Sequence, residues 1–498
     1  MKVRIVAIII LMISSFCSCG VTSNIMAITQ ENKVYVIKQD WNLKGETLSL
    51  PKGCTLKFKG GCISNGTLIG NGTVVKAEKD GYVFNDVKLK GSFTSIRFPI
   101  NAYNTNKLDY FYSFLKAFSG TDLYLTGDYS ATEYLGEADG TTPESVKIDG
   151  KGHKLTLYSF GAYKVKQCIL KNITIECNNN IDPKNKWKSD KFKFGVVGNF
   201  VSSSLVLSNV TFSKETDFAY IRGFQSLEIS QCKEDGSYFF VYDCNNVSFH
   251  NNSIENADNG YYSIGKMTEA GQVKIYDNTF RNIPGGGVIL SGGLKYNASV
   301  TGNVLENVGG GGAMKSCINI HPRGTIVVRD NKITANKGAV TLDIDAARAE
   351  YYSDATSVTV ENNMIGSVED DATLHGMALV GIAKLYVKNN TIKNQHFYFW
   401  DTPYMEFTDN TVSFSAGFDK STEIGTMSTH ETTETKEYNH IYRNNVFNIP
   451  YTKGTVHFRY QSKVPVKVIG EGNTYSKPVE FVDQNKKFKA TGDIKIYK

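Results

Sequence analysis

One short pattern recurs down the chain at a nearly constant minimum spacing. Its copies are SNVTF (208–212), NNSI (251–254), DNTF (277–280), GNVL (302–305), DNKI (330–333), NNMI (362–365), NNTI (389–392), DNTV (409–412), NNVF (444–447) and GNTY (472–475). KNITI, around Asn172, reads as an earlier copy, and Cys232 in SQCKE stands where an Asn is expected. An alternating strand precedes each copy, as in SVTVENN, KLYVKNN and QVKIYDN. With Asn209, Cys232, Asn252, Asn278, Asn303, Asn331, Asn363, Asn390, Asn410, Asn445 and Asn473 as anchors, the spacings run from 20 to 35 residues. A fixed minimum with variable excess means one coil length carrying loops of different sizes. The apolar residues alternate with period two, whereas a leucine-rich or helical repeat needs helix-period spacing.

The anchor Asn has a physical task. A sharp bend between strands leaves backbone groups unpaired, and an inward amide bonds them while tolerating unusual backbone angles. Asn from successive coils then stack into a ladder. The repeat therefore predicts an all-β solenoid, a single-stranded parallel β-helix. Composition agrees: 45 Gly, only 10 Pro and 12% aromatics suit strands and tight turns. The formal charge of +6 is spread along the chain and is compatible with a polyanionic ligand. No Lys/Arg-rich run is present, so nucleic acid is not an expected partner. Beyond residue 19 there are Cys54, Cys62, Cys168, Cys177, Cys232, Cys244 and Cys317, an odd number without zinc-site spacing. They read as small core residues.

The first residues read as an export signal. A basic start, Met1 to Arg4, precedes an apolar run from Ile5 to Ile13 and a small, polar end. Phe16-Cys17-Ser18-Cys19 looks like a loose lipobox, with Cys19 the better lipid acceptor. The expected organisation is a lipoprotein signal (1–19), a linker (20–32), a strand-rich N-terminal cap with the first coils (33–105) and the β-helix (106–498). A lipid anchor implies a membrane partner and places the chain as an outer-membrane lipoprotein, at the cell surface or in the periplasm.

The Asn-anchored coils resemble the pectate-lyase-like right-handed β-helix superfamily. NKLDYFYSFLKAFSGTDLYLTGDYSA (106–131) is similar to that superfamily's opening segment, a short amphipathic helix, a strand and a Gly-x-Tyr turn. Leu108, Phe111, Leu115 and Phe118 share one face of that helix, which would cap the coil stack. LSLPKGCTLKFKGGCISNGTLIGNGTVVKA (48–77) resembles the N-terminal part of β-helix lipoproteins from Gram-negative polysaccharide degraders. The resemblance implies a right-handed solenoid after about residue 33. For chemistry it is broad, since the superfamily includes lyases, hydrolases, epimerases and binding proteins.

In the resembled superfamily the strand after each anchor turn often lines the substrate groove. Alternation predicts which of its side chains face outward. In GAVTLDIDA, Val340, Leu342 and Ile344 point in, and Thr341, Asp343 and Asp345 point out. In SCINIHPR, Asn319 and His321 point out, followed by Arg323. Tyr220 and Arg222, Tyr242, Tyr398 and Trp400, and His457 and Arg459 are the outward residues of FAYIRG, SYFFVYD, FYFWDTP and GTVHFRYQ. The loop 346–355 adds Arg348, Tyr351 and Tyr352. With matching registers, His321 and the Asp343/Asp345 pair would share one patch.

Two chemistries fit this set. In β-elimination of a uronate polysaccharide, His321 would be the base, Arg323 or Arg348 would neutralise the carboxylate, and Tyr351 or Tyr352 would be the acid. Asp343 and Asp345 would orient His321 or hold a divalent cation such as Ca2+. In hydrolysis, Asp343 and Asp345 would be an inverting acid/base pair about 6.5–7 Å apart along the strand. Hydrolase relatives carry carboxylates on neighbouring coils, where this chain has His321 and Asn319. The leading expectation is thus a polysaccharide lyase acting on an acidic, glycosaminoglycan-like or pectin-like chain. The alternatives are an inverting glycoside hydrolase and a non-catalytic glycan-binding lipoprotein. Arg222, Tyr242, Asn319, Tyr351, Tyr352, Trp400, His457 and Arg459 are the expected sugar contacts. His375, His430 and His440 fall in polar, loop-like stretches.

Overall fold

Alternating apolar and polar residues become parallel ladders along the chain. The computed structural model describes residues 28–497 except 79, 136–142, 179–192, 217, 265–270, 292–296, 311–315, 322–323, 346–356, 368–374, 416–422, 429–436, 450–455 and 478. Cys19 and His430 lie outside the described residues. Seven strands between Val34 and Asn104 form an N-terminal sheet, followed by sheets of 28 and 14 strands. The pairings are parallel, and most join strands one coil apart. The chain is a right-handed parallel β-helix.

One coil shows the plan. Gln272–Tyr276 and Thr279–Ile283 belong to the 28-strand sheet, and Val288–Leu290 belongs to the 14-strand sheet. The bend between the first two strands is the repeated motif. Its first residue is Asn251, Asp277, Gly302, Asp330, Asn362, Asn389, Asp409, Asn444 or Gly472, with φ between +53 and +70°. Asn, Asp and Gly are the residues that adopt this left-handed conformation most readily. Its second residue is the inward Asn. Asn303 Oδ1 accepts both the backbone N–H (3.0 Å) and the side-chain N–H (2.9 Å) of Asn278. Asn303 in turn donates to Asn331 Oδ1 through the same two groups, and to the Ile275 carbonyl. The ladder runs unbroken from Asn252 to Asn473 and ends on Asp493. Cys232 stands at its start, its backbone N–H donating to Asn252 Oδ1 at 2.8 Å.

Two expected anchors differ. Asn172 and Asn209 have φ of +51 and +53° and occupy the left-handed position of the bend, not the inward one. The buried residues that follow are Ile173 and Val210. Asn209 donates to Asn172 across neighbouring coils on the outside (3.0 Å). Without an amide behind it, the bend is filled by an apolar side chain.

Large apolar residues stack in register inside the coil, as in Phe194–Ala219–Phe239–Tyr261–Val288–Ile318–Leu342–Met377–Phe397. Burying each large side chain contributes about 1.5–3 kcal/mol. Cys54, Cys168, Cys177, Cys232, Cys244 and Cys317 are buried thiols. The helix Leu108–Ala117 buries Leu108, Phe111, Phe114 and Leu115. Phe114 stacks on Tyr103 at 4.6 Å, and Phe118 meets Phe98 at 4.7 Å, so the helix joins the N-terminal sheet to the coils that follow.

A carboxyl and an imidazole sit inside the coil. Glu234 is inward, between Phe212 and Ile254 in register, and burial pushes its carboxyl up to about 8. His440 is in the strand Tyr438–Arg443, not in a loop, and is fully buried. Its Nε2–H donates to the Thr402 carbonyl at 2.9 Å, and burial lowers its pKa to about 4.

Asn303→Ala removes the acceptor of two Asn278 N–H groups and the donor to Ile275, and should cost about 3 kcal/mol or more in urea denaturation. Asn209→Gly, at an exposed left-handed position, should stay within about 0.5 kcal/mol. The two buried groups oppose each other in pH. Folded Glu234 holds a proton that the unfolded chain releases above about 4.5, so its stabilisation is lost between about 4.5 and about 8. Neutral His440 loses stability as pH falls from about 6.5 to about 4. Denaturation midpoints should therefore decline toward pH 8.5 in the native chain and be flatter there in Glu234→Gln.

Candidate functional site

The outer face of the 14-strand sheet carries side chains in rows one coil apart, about 4.8 Å per step. One row is Tyr220–Phe240–Tyr262–Ile289–Asn319–Asp343–Ala378–Tyr398–Thr426–Arg459. The next contains Arg222 and Tyr242 in register, and further along Asp345–Val380–Trp400–Ser428–Gln461. Ile320 pairs with Ile344, and the His321 N–H continues the ladder to the Leu290 carbonyl (2.9 Å), so His321 and Asp345 each come one residue after that pair. The residues that alternation assigns outward thus gather on one face.

At the centre, Asn319 Nδ2 donates to Asp343 Oδ2 at 2.8 Å. Both residues are buried although they point away from the core, so the outward position does not make them solvated. His321 and Asp345 are half-buried. Asp343 and Asp345 lie two residues apart on one strand face.

The strand Val340–Asp345 departs from simple alternation. Val340 pairs with Gly376 and Leu342 with Met377, which leaves Thr341 as an extra residue in a bulge. Thr341 is fully buried, with Oγ1 at 2.6 Å from Gln395 Oε1 and 3.1 Å from the Gly376 carbonyl, while Val340 is half-buried. This reverses the expected directions of Val340 and Thr341. The reason is the one-residue insertion, which shifts the pleat by one before the two Asp.

Beyond the carboxylates the floor drops. Ala378 and Val380 occupy the next coil, and Tyr398 and Trp400 rise on the one after, about 10 Å from the Asp pair. Tyr398 and Trp400 are each 36% exposed and meet edge to face at 6.4 Å. His396 joins them, its ring 4.3 Å from Tyr398 and its Nε2 3.3 Å from Thr426 Oγ1. It was missed in the sequence, although counting back by twos from Trp400 reaches it.

Arg459 is on this face, further toward the C-terminus. His457 occupies the strand Val456–Gln461 in register with Glu480, and its side chain is not among those described. Arg323, Arg348, Tyr351 and Tyr352 lie outside the described residues. Among the described residues, no group of three or more His, Cys, Asp or Glu is gathered to hold a metal ion.

A family model described as a right handed beta helix region matches residues 194–347. That span contains Arg222, Tyr242, Asn319, His321, Asp343 and Asp345. The fold is of the kind found in pectate-lyase-like and glycosidase-like proteins. No curated protein and no solved structure matches the chain.

Asn319→Leu strips a hydrogen bond from a buried carboxylate and should cost about 2 kcal/mol in denaturation. Tyr398→Ala, at a partly exposed position, should cost less than about 1.5 kcal/mol by the same measurement.

Proposed function

We propose that this protein is a polysaccharide lyase that cleaves an acidic, uronate-containing chain lying along the outer face of the 14-strand sheet. The observation that supports the reading is the position of His321, which like Asp345 comes one residue after the Ile320–Ile344 pair, near the bonded Asn319 and Asp343 and next to the step down to Ala378 and Val380. Asp345 orients the His321 imidazole and supports its protonated form. His321 takes the proton next to the uronate carboxylate. The electron pair forms a carbon–carbon double bond as the glycosidic carbon–oxygen bond breaks. The leaving oxygen takes a proton from an acid, a role that suits Tyr351 or Tyr352. Arg323 or Arg348 would neutralise the uronate carboxylate. The Asp pair could also hold a divalent cation such as Ca2+, which would help neutralise the uronate carboxylate. Tyr398 and Trp400 are placed to stack on sugar rings two coils away.

Hydrolysis by Asp343 and Asp345 is the second reading, favoured by their shared strand face. The bond from Asn319 to Asp343 counts against it, because it holds one carboxylate as an acceptor in a buried pair. An exported lipoprotein anchored through Cys19 fits a role at a cell surface, and its test is lipid labelling lost in Cys19→Ala.

Incubation of the chain with polygalacturonate and chondroitin sulfate should produce absorbance at about 232 nm, the signature of an unsaturated uronate. His321→Ala should lower that rate at least about 100-fold. Reducing ends without absorbance would replace elimination with hydrolysis, and Asp343→Asn or Asp345→Asn would then abolish them.

A further inference from the structure

The same face continues toward the N-terminal coils with a different character. Val197 and Tyr220 form an apolar cluster separate from the core, packed by Phe218, Phe240 and Tyr242. The rings stack coil on coil: Phe218 with Tyr238 at 5.3 Å, and Tyr220 with Phe240 at 5.8 Å. Tyr262 closes on Phe240 edge to face at 5.2 Å.

Arg222 stands at the border of this platform between two rings. Its guanidinium carbon is 4.6 Å from the Tyr242 ring centre and 5.6 Å from that of Phe200. Its Nη2 is 3.3 Å from Asp243 Oδ2, on a side chain far less exposed than its own. Its Nε is covered and makes no hydrogen bond among the described residues.

Phe200 is held in an unfavourable conformation to reach it. Its φ is +67°, rare for a bulky residue, and half of the residue is exposed. Its own N–H donates to the Gly223 carbonyl at 3.0 Å. Asn199 Oδ1 takes the N–H groups of Val201 (3.2 Å) and Ser202 (3.1 Å). Gly223 is required beneath the ring, since a Cβ there would come within 2.7 Å of Phe200. The result is a partly solvent-facing ring fixed beside a cation, a combination that stacks on a sugar ring and neutralises an anionic group on it.

We propose that Phe200, Arg222 and Tyr242 form a remote anchoring subsite for an anionic sugar residue of the polymer. Arg222 lies four coils from His321, about 19 Å away. The inference rests on the reading that this face takes an acidic polysaccharide. The subsite gives long chains a second attachment far from the reaction centre, and so favours them over short ones.

The test is affinity electrophoresis of the full chain through gels holding polygalacturonate, chondroitin sulfate or dextran. The expected result is retention by one or both anionic polymers and none by dextran. Phe200→Ala and Arg222→Gln should each weaken retention about tenfold. Phe200→Tyr should restore it, which a role in folding alone would not single out, and thermal midpoints should match the native chain. Unchanged retention in both variants overturns the subsite, as does absence of retention in the native chain. Absorbance at about 232 nm, followed in the same proteins, keeps the two claims apart. Elimination with variant-insensitive binding defeats the subsite alone. Phe200-dependent binding without elimination defeats the lyase alone.

Discussion

From Asn278 to Asn445, the inward Asn of each coil accepts two N–H groups from the Asn of one neighbouring coil and donates two to the Asn of the other. That exchange leaves little freedom in the register between coils. A slip by one residue would put an apolar side chain where the bend needs an amide and would turn every outward residue of the next strand inward. The rows on the 14-strand sheet depend on this constraint. His321 and Asp345 follow the paired Ile320 and Ile344, and Asp345 lines up with Trp400 through Val380, because the bends before those strands are locked to one another. The spacing between locked bends is free to vary, and it is widest between anchors 331 and 363 and between 410 and 445.

Within that regular frame, the departures are local. The bulge at Thr341 places four successive buried residues, Thr341 to Ile344, before the half-buried Asp345. Asp343 is thereby buried and accepts from Asn319, while Asp345 is half-buried. Two carboxylates on one strand therefore meet unlike surroundings, a common way to divide roles between them. At the N-terminal end, Phe200 is the counterpart: a strained backbone position that a packed core would not need.

The sequence carried the fold almost whole because the bend motif states both of its requirements in adjacent residues. The first of each pair must tolerate positive φ, and the second must bring an amide. Cys232 was legible as a substitute, and the structure puts its N–H on Asn252. Asn209 was misread because the same residue type serves both positions, and only its neighbour Val210 shows which one it fills. Alternation placed Asn319, His321, Asp343, Asp345 and Trp400 on one face. It could not reveal the Thr341 bulge, which inserts a residue without changing composition. His440 looked solvated among polar neighbours, yet its strand turns it into the core. The burial of Asn319 and Asp343 was also hidden, since direction from a strand does not determine what lies above it.

The central claim is that the locked rows of the 14-strand sheet are a track for an anionic polysaccharide. The most direct measurement is a crystal structure of the His321→Ala protein with a bound polygalacturonate or chondroitin sulfate oligosaccharide. The account predicts a ligand running across successive coils, with a uronate beside Asp345 and a sugar ring against Tyr398 or Trp400. A ligand seated on the 28-strand sheet, or on the N-terminal sheet with this face bare, would contradict it.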